Sequence, residues 1–411
     1  MNESIITSLL DTDFYKFTMG QLIFHTYPDV QVRYAFTNRT KRVNLADFID
    51  EVQLREELDN VRRLRFTNSE LHYLRGTDEY GARMFKEDYL LFLRNFQLPP
   101  YRLERTEGGY ILEFSGSWAE VMYWEIYSLA IVNELYYRAL MKELTKFEQD
   151  AVYATGILRQ KEKIHMLRRR PDITFSDFST RRRFSKARQD YAVQAMVEEL
   201  PGQFLGTSNV KLAMDRELLP MGTSGHEGPM GLYGVFYDSE NPPFTAQQKF
   251  FELWWDEYGE GLSIFLPDTW GSEFGFSVMT GEQAHLWKGF RQDSGDAIAE
   301  GERGLRFYEH HYVDARKKLV IFSDGLEVKS MITIADHFYG RTKYTFGWGT
   351  NLANDFGLAP ISIVVKLVEA NGHPVPKLSD NLAKATGDPA EIERAKIFCG
   401  YTGRFYQQTK Y

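Results

Sequence analysis

From about residue 200 onward the chain repeats one unit: a short apolar segment, a small polar or glycine-containing loop, then a helical pattern. Gln203-Phe204-Leu205 runs into Gly206-Thr207-Ser208-Asn209, and Leu218-Leu219-Pro220-Met221 into Gly222-Thr223-Ser224-Gly225-His226-Glu227. Leu262-Ser263-Ile264-Phe265-Leu266 leads to Pro267-Asp268-Thr269, and Leu319-Val320-Ile321-Phe322 to Ser323-Asp324-Gly325. Tyr344-Thr345-Phe346 leads to Gly347-Trp348-Gly349-Thr350-Asn351. Successive β-loop-α units specify a parallel sheet, and this many of them favour a β/α barrel over an open sheet. In a barrel all these loops gather at the C-terminal rim, where catalytic residues sit, so the scattered polar loops are brought together.

The earlier part lacks that rhythm. Val30, Val32, Tyr34 and Phe36 alternate with Gln31, Arg33 and Ala35, the period of a strand. Tyr101, Leu103 and Arg105, a Glu107-Gly108-Gly109 turn, then Tyr110, Leu112 and Phe114 read as a hairpin. Helical periodicity fills the stretch from about 46 to 96 and again from 120 to about 166, where 168–171 ends it. Near the C-terminus Ile361-Ser362-Ile363-Val364-Val365-Lys366-Leu367 leads to Asn371-Gly372, a strong hairpin turn signal.

A chain of 411 residues has the surface for a large core and for two domains. The formal net charge of −8 argues against nonspecific nucleic-acid binding, although 168–170 and 181–183 are arginine clusters. An anionic small ligand at a local basic site fits better. One cysteine, Cys399, excludes an intrachain disulfide and a cysteine-based metal cluster and fits a reducing compartment. Met1-Asn2-Glu3-Ser4 offers no basic n-region, and no apolar run reaches spanning length, so a cytoplasmic protein without membrane attachment is expected.

The densest chemistry lies in Gly289-Phe290-Arg291-Gln292-Asp293-Ser294-Gly295-Asp296. Carboxylates accept hydrogen bonds from the vicinal hydroxyls of a ribose, an arginine suits phosphate, and glycine lets backbone N–H groups approach an anion. The same residues read equally as a solvated polar turn. Gly347 and Gly349 before Thr350 could cradle a phosphate or simply precede a capped helix; no Gly-Lys-Ser/Thr follows, so P-loop chemistry is unsupported. His226 could be a proton shuttle, metal ligand or phosphoryl acceptor, or an exposed histidine in a capping turn. A histidine nucleophile needs an acceptor that fixes its tautomer, and Asp268 at the end of another strand is the candidate. The nine histidines form no His-Glu-x-x-His pattern, so no constitutive zinc site is expected. Phe178 followed by Arg181 can stack on and neutralise a flat anionic heteroaromatic, or begin a solvated basic helix. Asp11-Thr12-Asp13-Phe14-Tyr15-Lys16 shares that ambiguity.

Together these motifs closely resemble the nicotinate phosphoribosyltransferase family. The match runs from Leu9-Leu10 and residues 11–16 through 178–182, 206–209, 222–227, 290–296 and 323–325 to 346–351, essentially the whole chain. The resemblance implies phosphoribosyl transfer from 5-phosphoribosyl 1-diphosphate to nicotinate, with ATP as co-substrate hydrolysed through a phosphohistidine. It implies an irregular β/α barrel at about 131–359 and a second α/β domain from residues 1–130, completed by about 360–411. It further implies a homodimer with shared active sites. By motif, His226 resembles the phosphorylated histidine, with Glu227 beside it and Asp268 orienting it. Phe178 resembles the aromatic stacking on the pyridine, and Tyr15 the one contributed by the partner subunit. Arg181, Thr207 and Ser208 would face the nicotinate carboxylate. Arg291, Asp293 and Asp296 resemble the ribose and diphosphate site; Asp324, Gly325, Gly347, Gly349 and Thr350 resemble the 5′-phosphate cradle. Mg²⁺ is expected to arrive with the diphosphate, since no all-protein cage is visible. Two departures stand out: Ser224-Gly225 before His226, with Gly225 expected to loosen that loop, and Phe184-Ser185 after Arg183, which leaves Arg183 without an assigned contact. The rivals are a nicotinamide phosphoribosyltransferase, disfavoured because 207–209 carries no acidic residue, and a non-enzymatic relative, disfavoured by intact His226, Arg291, Asp293 and Asp296. A quinolinate phosphoribosyltransferase fits less well still, being typically a shorter chain.

Overall fold

The computed structural model describes residues 4–79, 82–403 and 405–407. Met1, Asn2 and Glu3 of the N-terminal reading, and 408–411 of the C-terminal segment, lie outside the described residues. In chain order the strands are β1 (Gln31–Asn38), the short pair β2 (Asp78–Glu79) and β3 (Ala82–Arg83), β4 (Tyr101–Thr106), β5 (Gly109–Ser117), β6 (Phe175–Asp177), β7 (Phe204–Thr207), β8 (Ile264–Phe265), β9 (Gly289–Gln292), β10 (Leu319–Phe322), β11 (Lys343–Trp348), β12 (Ile363–Ala370) and β13 (His373–Pro374).

Two sheets carry the α/β architecture. An antiparallel sheet, ordered β13-β12-β1-β5-β4, takes strands from both ends of the chain. Its inner face is set by the alternation in β1: Tyr34 lies opposite Phe114 of β5 and Leu367 of β12, and all three are buried. The Asn371-Gly372 turn into β13 has φ of 52° and 79°, the positive pair a tight hairpin requires. The parallel sheet is ordered β7-β6-β11-β10-β9-β8. Among the described residues its outer strands β7 and β8 are not bonded to each other, which makes the barrel irregular.

The parallel strands differ from the sequence reading in a consistent way. The apolar run 218–221 supplies one parallel bridge, Thr207 to Pro220, because proline has no N–H with which to extend a ladder. Conversely, β6 and β9 look like loops, with a single large apolar residue each. They are strands because both neighbours pair with them: β11 and β7 flank β6, and β10 and β8 flank β9. Helix Trp124–Lys142, buried from Trp124 to Tyr137, runs uninterrupted across residue 130 and carries Glu125 into the interior. No helix of the described residues is long and apolar enough to cross a membrane.

Candidate active site

The C-terminal ends of the parallel strands surround a cavity of about 520 Å³, closed on its other side by β12 and the segment after it. One end is aromatic and cationic. Phe178 follows β6, and its ring fills the space at Gly347 of β11, where a Cβ would come within 2.5 Å of the ring carbons. Gly347 thus makes room for the aromatic while lining the same cavity. Arg181, also lining it, is drawn toward Glu125, whose Oε1 is 3.4 Å from Nη1. Tyr15 of the same chain reaches this end and donates to Glu125 Oε2 at 3.0 Å; burial and that carboxylate push its phenol well above the ordinary value, so it stays protonated. The resemblance implied a tyrosine from a partner; here one chain brings both aromatics to one cavity.

The opposite end holds carboxylates and amines. Asp293, just past β9, accepts from Ser323 Oγ at 2.9 Å, and its main-chain oxygen accepts from Lys384 Nζ at 3.0 Å. Lys384 also donates to Asp324 Oδ1 at 2.5 Å; burial nonetheless raises the Asp324 carboxyl. Arg291 donates from Nη1 to the Ser224 carbonyl at 3.4 Å, while its buried Nε has no protein partner. Gly325, Gly349 and Thr350 line the wall beyond β10 and β11.

His226 lies between these ends, just before helix Glu227–Val235. Its Nε2 is 3.0 Å from Asp293 Oδ2 and 3.5 Å from Asp268 Oδ1, and its Nδ1 is 3.1 Å from Thr269 Oγ1. Burial and Lys377 push the imidazole down to about 4, so it is neutral at pH 7. Burial would raise both aspartates; the histidine and nearby cations (Arg291 and Lys384 for Asp293, Lys377 for Asp268) override it and hold them low. With Nε2–H donating to the ionised Asp293 carboxylate, the neutral imidazole keeps its lone pair on Nδ1, beside the Thr269 hydroxyl. Asp268 is steadied from behind by Ser294 Oγ, which donates to its Oδ2 at 2.5 Å. Ligand atoms of His226, Asp268 and Asp293 all lie within 4.8 Å of one another, a donor set that suits a hard divalent cation. Lys377, 3.5 Å from Asp268 Oδ2, already shares that negative charge.

Of the other residues singled out from sequence, Ser208 and Glu227 line the cavity, and Thr207 and Asp296 do not. Thr207 donates to the buried Asp177 Oδ2 at 2.7 Å, inside a hub that also takes Ser179 and Gln189. Asp296 is exposed and caps helix Ala297–His310, its Oδ1 accepting from Ala299 N at 2.8 Å. Gly225 does not loosen the histidine loop: a Cβ there would meet Tyr15 Cε2 at 2.9 Å, so its smallness seats the tyrosine. Arg183 is structural, a buried bidentate partner of Asp11 at 2.6 and 2.9 Å. The sequence reading missed Glu125, Lys366, Lys377 and Lys384. Lys366 carried a signal, a charge inside an apolar alternating strand; the others carried none.

A neutral histidine flanked by carboxylates, at the rim of an irregular β/α barrel with one cationic-aromatic and one amine-rich end, is the frame of a group-transfer enzyme with anionic substrates. Known proteins give the particular family. Residues 173–399 match the nicotinate phosphoribosyltransferase (NAPRTase) family, and residues 10–133 match its N-terminal domain. A nicotinate phosphoribosyltransferase structure from Vibrio cholerae is 31% identical over 97% of this chain and 95% of its own, with a TM-score of 0.87. One from Porphyromonas gingivalis is 30% identical over 97% and 100%, with a TM-score of 0.86. The chain belongs to the nicotinate phosphoribosyltransferase family.

Proposed function

We propose that the chain transfers the 5-phosphoribosyl group of 5-phosphoribosyl 1-diphosphate to nicotinate, giving nicotinate mononucleotide and diphosphate, and couples this to ATP hydrolysis through phosphorylation of His226. Family membership supports the transfer reaction. The observation that carries the rest is the polarity of one continuous cavity, aromatic and cationic at Phe178 and Arg181, carboxylate and lysine at Asp293, Asp324 and Lys384, with His226 between. The C1′–O bond to diphosphate breaks, the bond from the ring nitrogen to C1′ forms, and the ring nitrogen becomes cationic. Charge at C1′ is oxocarbenium-like, so placing Asp293 near the ribose and lysines near the departing diphosphate lowers the barrier by position and electrostatics. Asp268 and Asp293 would hold a divalent cation carried in with the diphosphate, and that ion would neutralise the leaving group.

For the coupling, the Nδ1 lone pair of His226 takes the γ-phosphoryl of ATP, ADP leaves, the Asp293 carboxylate balances the charge on the ring through Nε2–H, and water later releases phosphate. A neutral imidazole held between the Asp293 carboxylate and the Thr269 hydroxyl supports this role. Nicotinate over nicotinamide rests on Arg181, because Ser208 Oγ is 2.8 Å from Asp13 Oδ1 and a carboxylate therefore does stand near the 207–209 loop. The test is mononucleotide formation from each pyridine with and without ATP, together with mapping of an acid-labile label from γ-labelled ATP. Nicotinate is expected to be used far better, and His226→Ala to lose the label and ATP hydrolysis while slow transfer persists. Equal use of the two pyridines, or a label on Ser224 or Thr223, would overturn the reading.

A further inference from the structure

Glu125 contacts four polar side chains at the acceptor end of the cavity. It is 4% exposed and stands in the first turn of the buried helix Trp124–Lys142. Its Oε2 accepts from Lys16 Nζ at 2.7 Å and Tyr15 at 3.0 Å; its Oε1 lies 3.4 Å from Arg181 Nη1 and 3.5 Å from Lys366 Nζ. Those four groups come from three separate parts of the fold: the first helix, the turn after β6, and β12. Lys16 is already doubly engaged, since it also donates to Glu227 Oε2 at 2.6 Å. Arg181 and Lys366 are not held so closely, and both line the cavity.

We infer that Glu125 is the positioning residue that sets acceptor specificity: it aims Arg181 and Lys366 at one carboxylate on the pyridine and fixes the Tyr15 ring beside it. This rests on the function proposed above. Three cations, Lys16, Arg181 and Lys366, stand against Glu125 and Glu227, and the Asp13 charge also acts on Arg181, so the ligand carboxylate meets oriented donors. Without Glu125, Arg181 and Lys366 repel each other and lose their shared anchor. An anionic pyridine then loses directed contacts that a neutral amide uses less. The donor end is built on Asp293 and Asp324, whose side chains bond to His226, Ser323 and Lys384.

The experiment compares Glu125→Gln, which keeps the shape and removes the charge, with Glu125→Asp, which keeps the charge. Measured are KM for nicotinate, KM for phosphoribosyl diphosphate, and the ratio of kcat/KM for nicotinate to that for nicotinamide. In Glu125→Gln the nicotinate KM should rise at least about tenfold and the ratio fall at least about tenfold, with the donor KM within about twofold of the parent. Glu125→Asp should retain at least about threefold more selectivity than Glu125→Gln. A ratio unchanged or increased in Glu125→Gln, a donor KM rising in parallel, or equal losses in the two variants would overturn the assignment. Should Glu125→Gln fail to fold, Glu125→Asp alone decides, because selectivity should fall in it while the donor KM holds. A parent that makes no nicotinate mononucleotide would instead remove the function proposed above, which no result on the variants can do.

Discussion

The two walls of the cavity were built by different kinds of sequence. The rim of the parallel sheet contributes short loops that follow apolar segments, and their polar residues stand out from the background: Asp293 after β9, Asp324 after β10, Gly349 and Thr350 after β11. The facing wall comes from β12 and the segment after it, which also belong to the antiparallel sheet's side of the molecule and supply Lys366, Lys377 and Lys384. Rim residues are locally conspicuous because a barrel exposes them there. The lysines acquire their role only by facing the rim: Lys384 on Asp324 and the Asp293 carbonyl, Lys377 beside Asp268. Under the proposed function, the carboxylates set where substrate atoms meet the protein, and the lysines supply charge matched to them.

The sharpest test of that division sets Asp293 against Asp296, three residues apart in one motif. Asp293→Asn removes the carboxylate at His226 Nε2 and is expected to lower kcat/KM about a thousandfold with little change in melting temperature. Asp296→Ala should leave kinetics within about twofold and cost about 1 kcal/mol of stability, as the loss of a helix cap does. Steady-state kinetics and thermal melts of the pair check it; reversed effects would break the assignment of rim roles.

Next in size is the opposite wall. Lys384→Met should raise the KM for phosphoribosyl diphosphate about thirtyfold and leave that for nicotinate within about twofold, because one charge-assisted contact is lost at the donor end alone. Equal effects on both substrates would mean that the two ends are not separate.

A pH profile probes the same wall without a mutation. Burial pushes the Lys366 ammonium down to about 8 against the opposing pull of Glu125, so it is charged at pH 7 and loses its charge as pH rises through that value. The nicotinate KM should be flat between about pH 6 and 7.5 and climb up to about tenfold per unit above 8, and Lys366→Met should flatten the climb. Stability moves the other way. Between about 8 and the ordinary 10.5 the unfolded chain binds the extra proton, so this group's contribution to stability rises with pH while binding weakens.

The smallest expected effect is at Gly225. Alanine there displaces the Tyr15 ring and should raise the nicotinate KM about three- to tenfold with kcat nearly unchanged. An unaltered KM would show that Tyr15 does not touch the acceptor.

Much of the frame was legible because it depends on local pattern. Alternation in 30–36, the hairpin around Glu107-Gly108, the Asn371-Gly372 turn and the repeated β-loop-α unit all rest on periodicities a single strand or turn imposes. The site was legible where a motif kept its residues together, as with Phe178 and Arg181, or Arg291 and Asp293. It misled where neighbours in sequence point different ways. Thr207 and Ser208 are adjacent, yet Thr207 turns inward to Asp177 and Ser208 outward to the cavity, as successive residues of extended backbone do.

What the sequence determined by itself was the repeated β-loop-α rhythm, the fold class and the chemistry available at the rim, since these follow from residue type and spacing. Only the tertiary structure decided that Gly289-Phe290-Arg291-Gln292 is a strand, that Asp293 lies closer than Asp268 to His226, and that Glu125 joins Tyr15, Lys16, Arg181 and Lys366. The physical reason is distance along the chain. Glu125 and Lys366 are 241 positions apart in the sequence and 3.5 Å apart in space, and no local propensity encodes a meeting that exists only when both sheets have packed around the same helix.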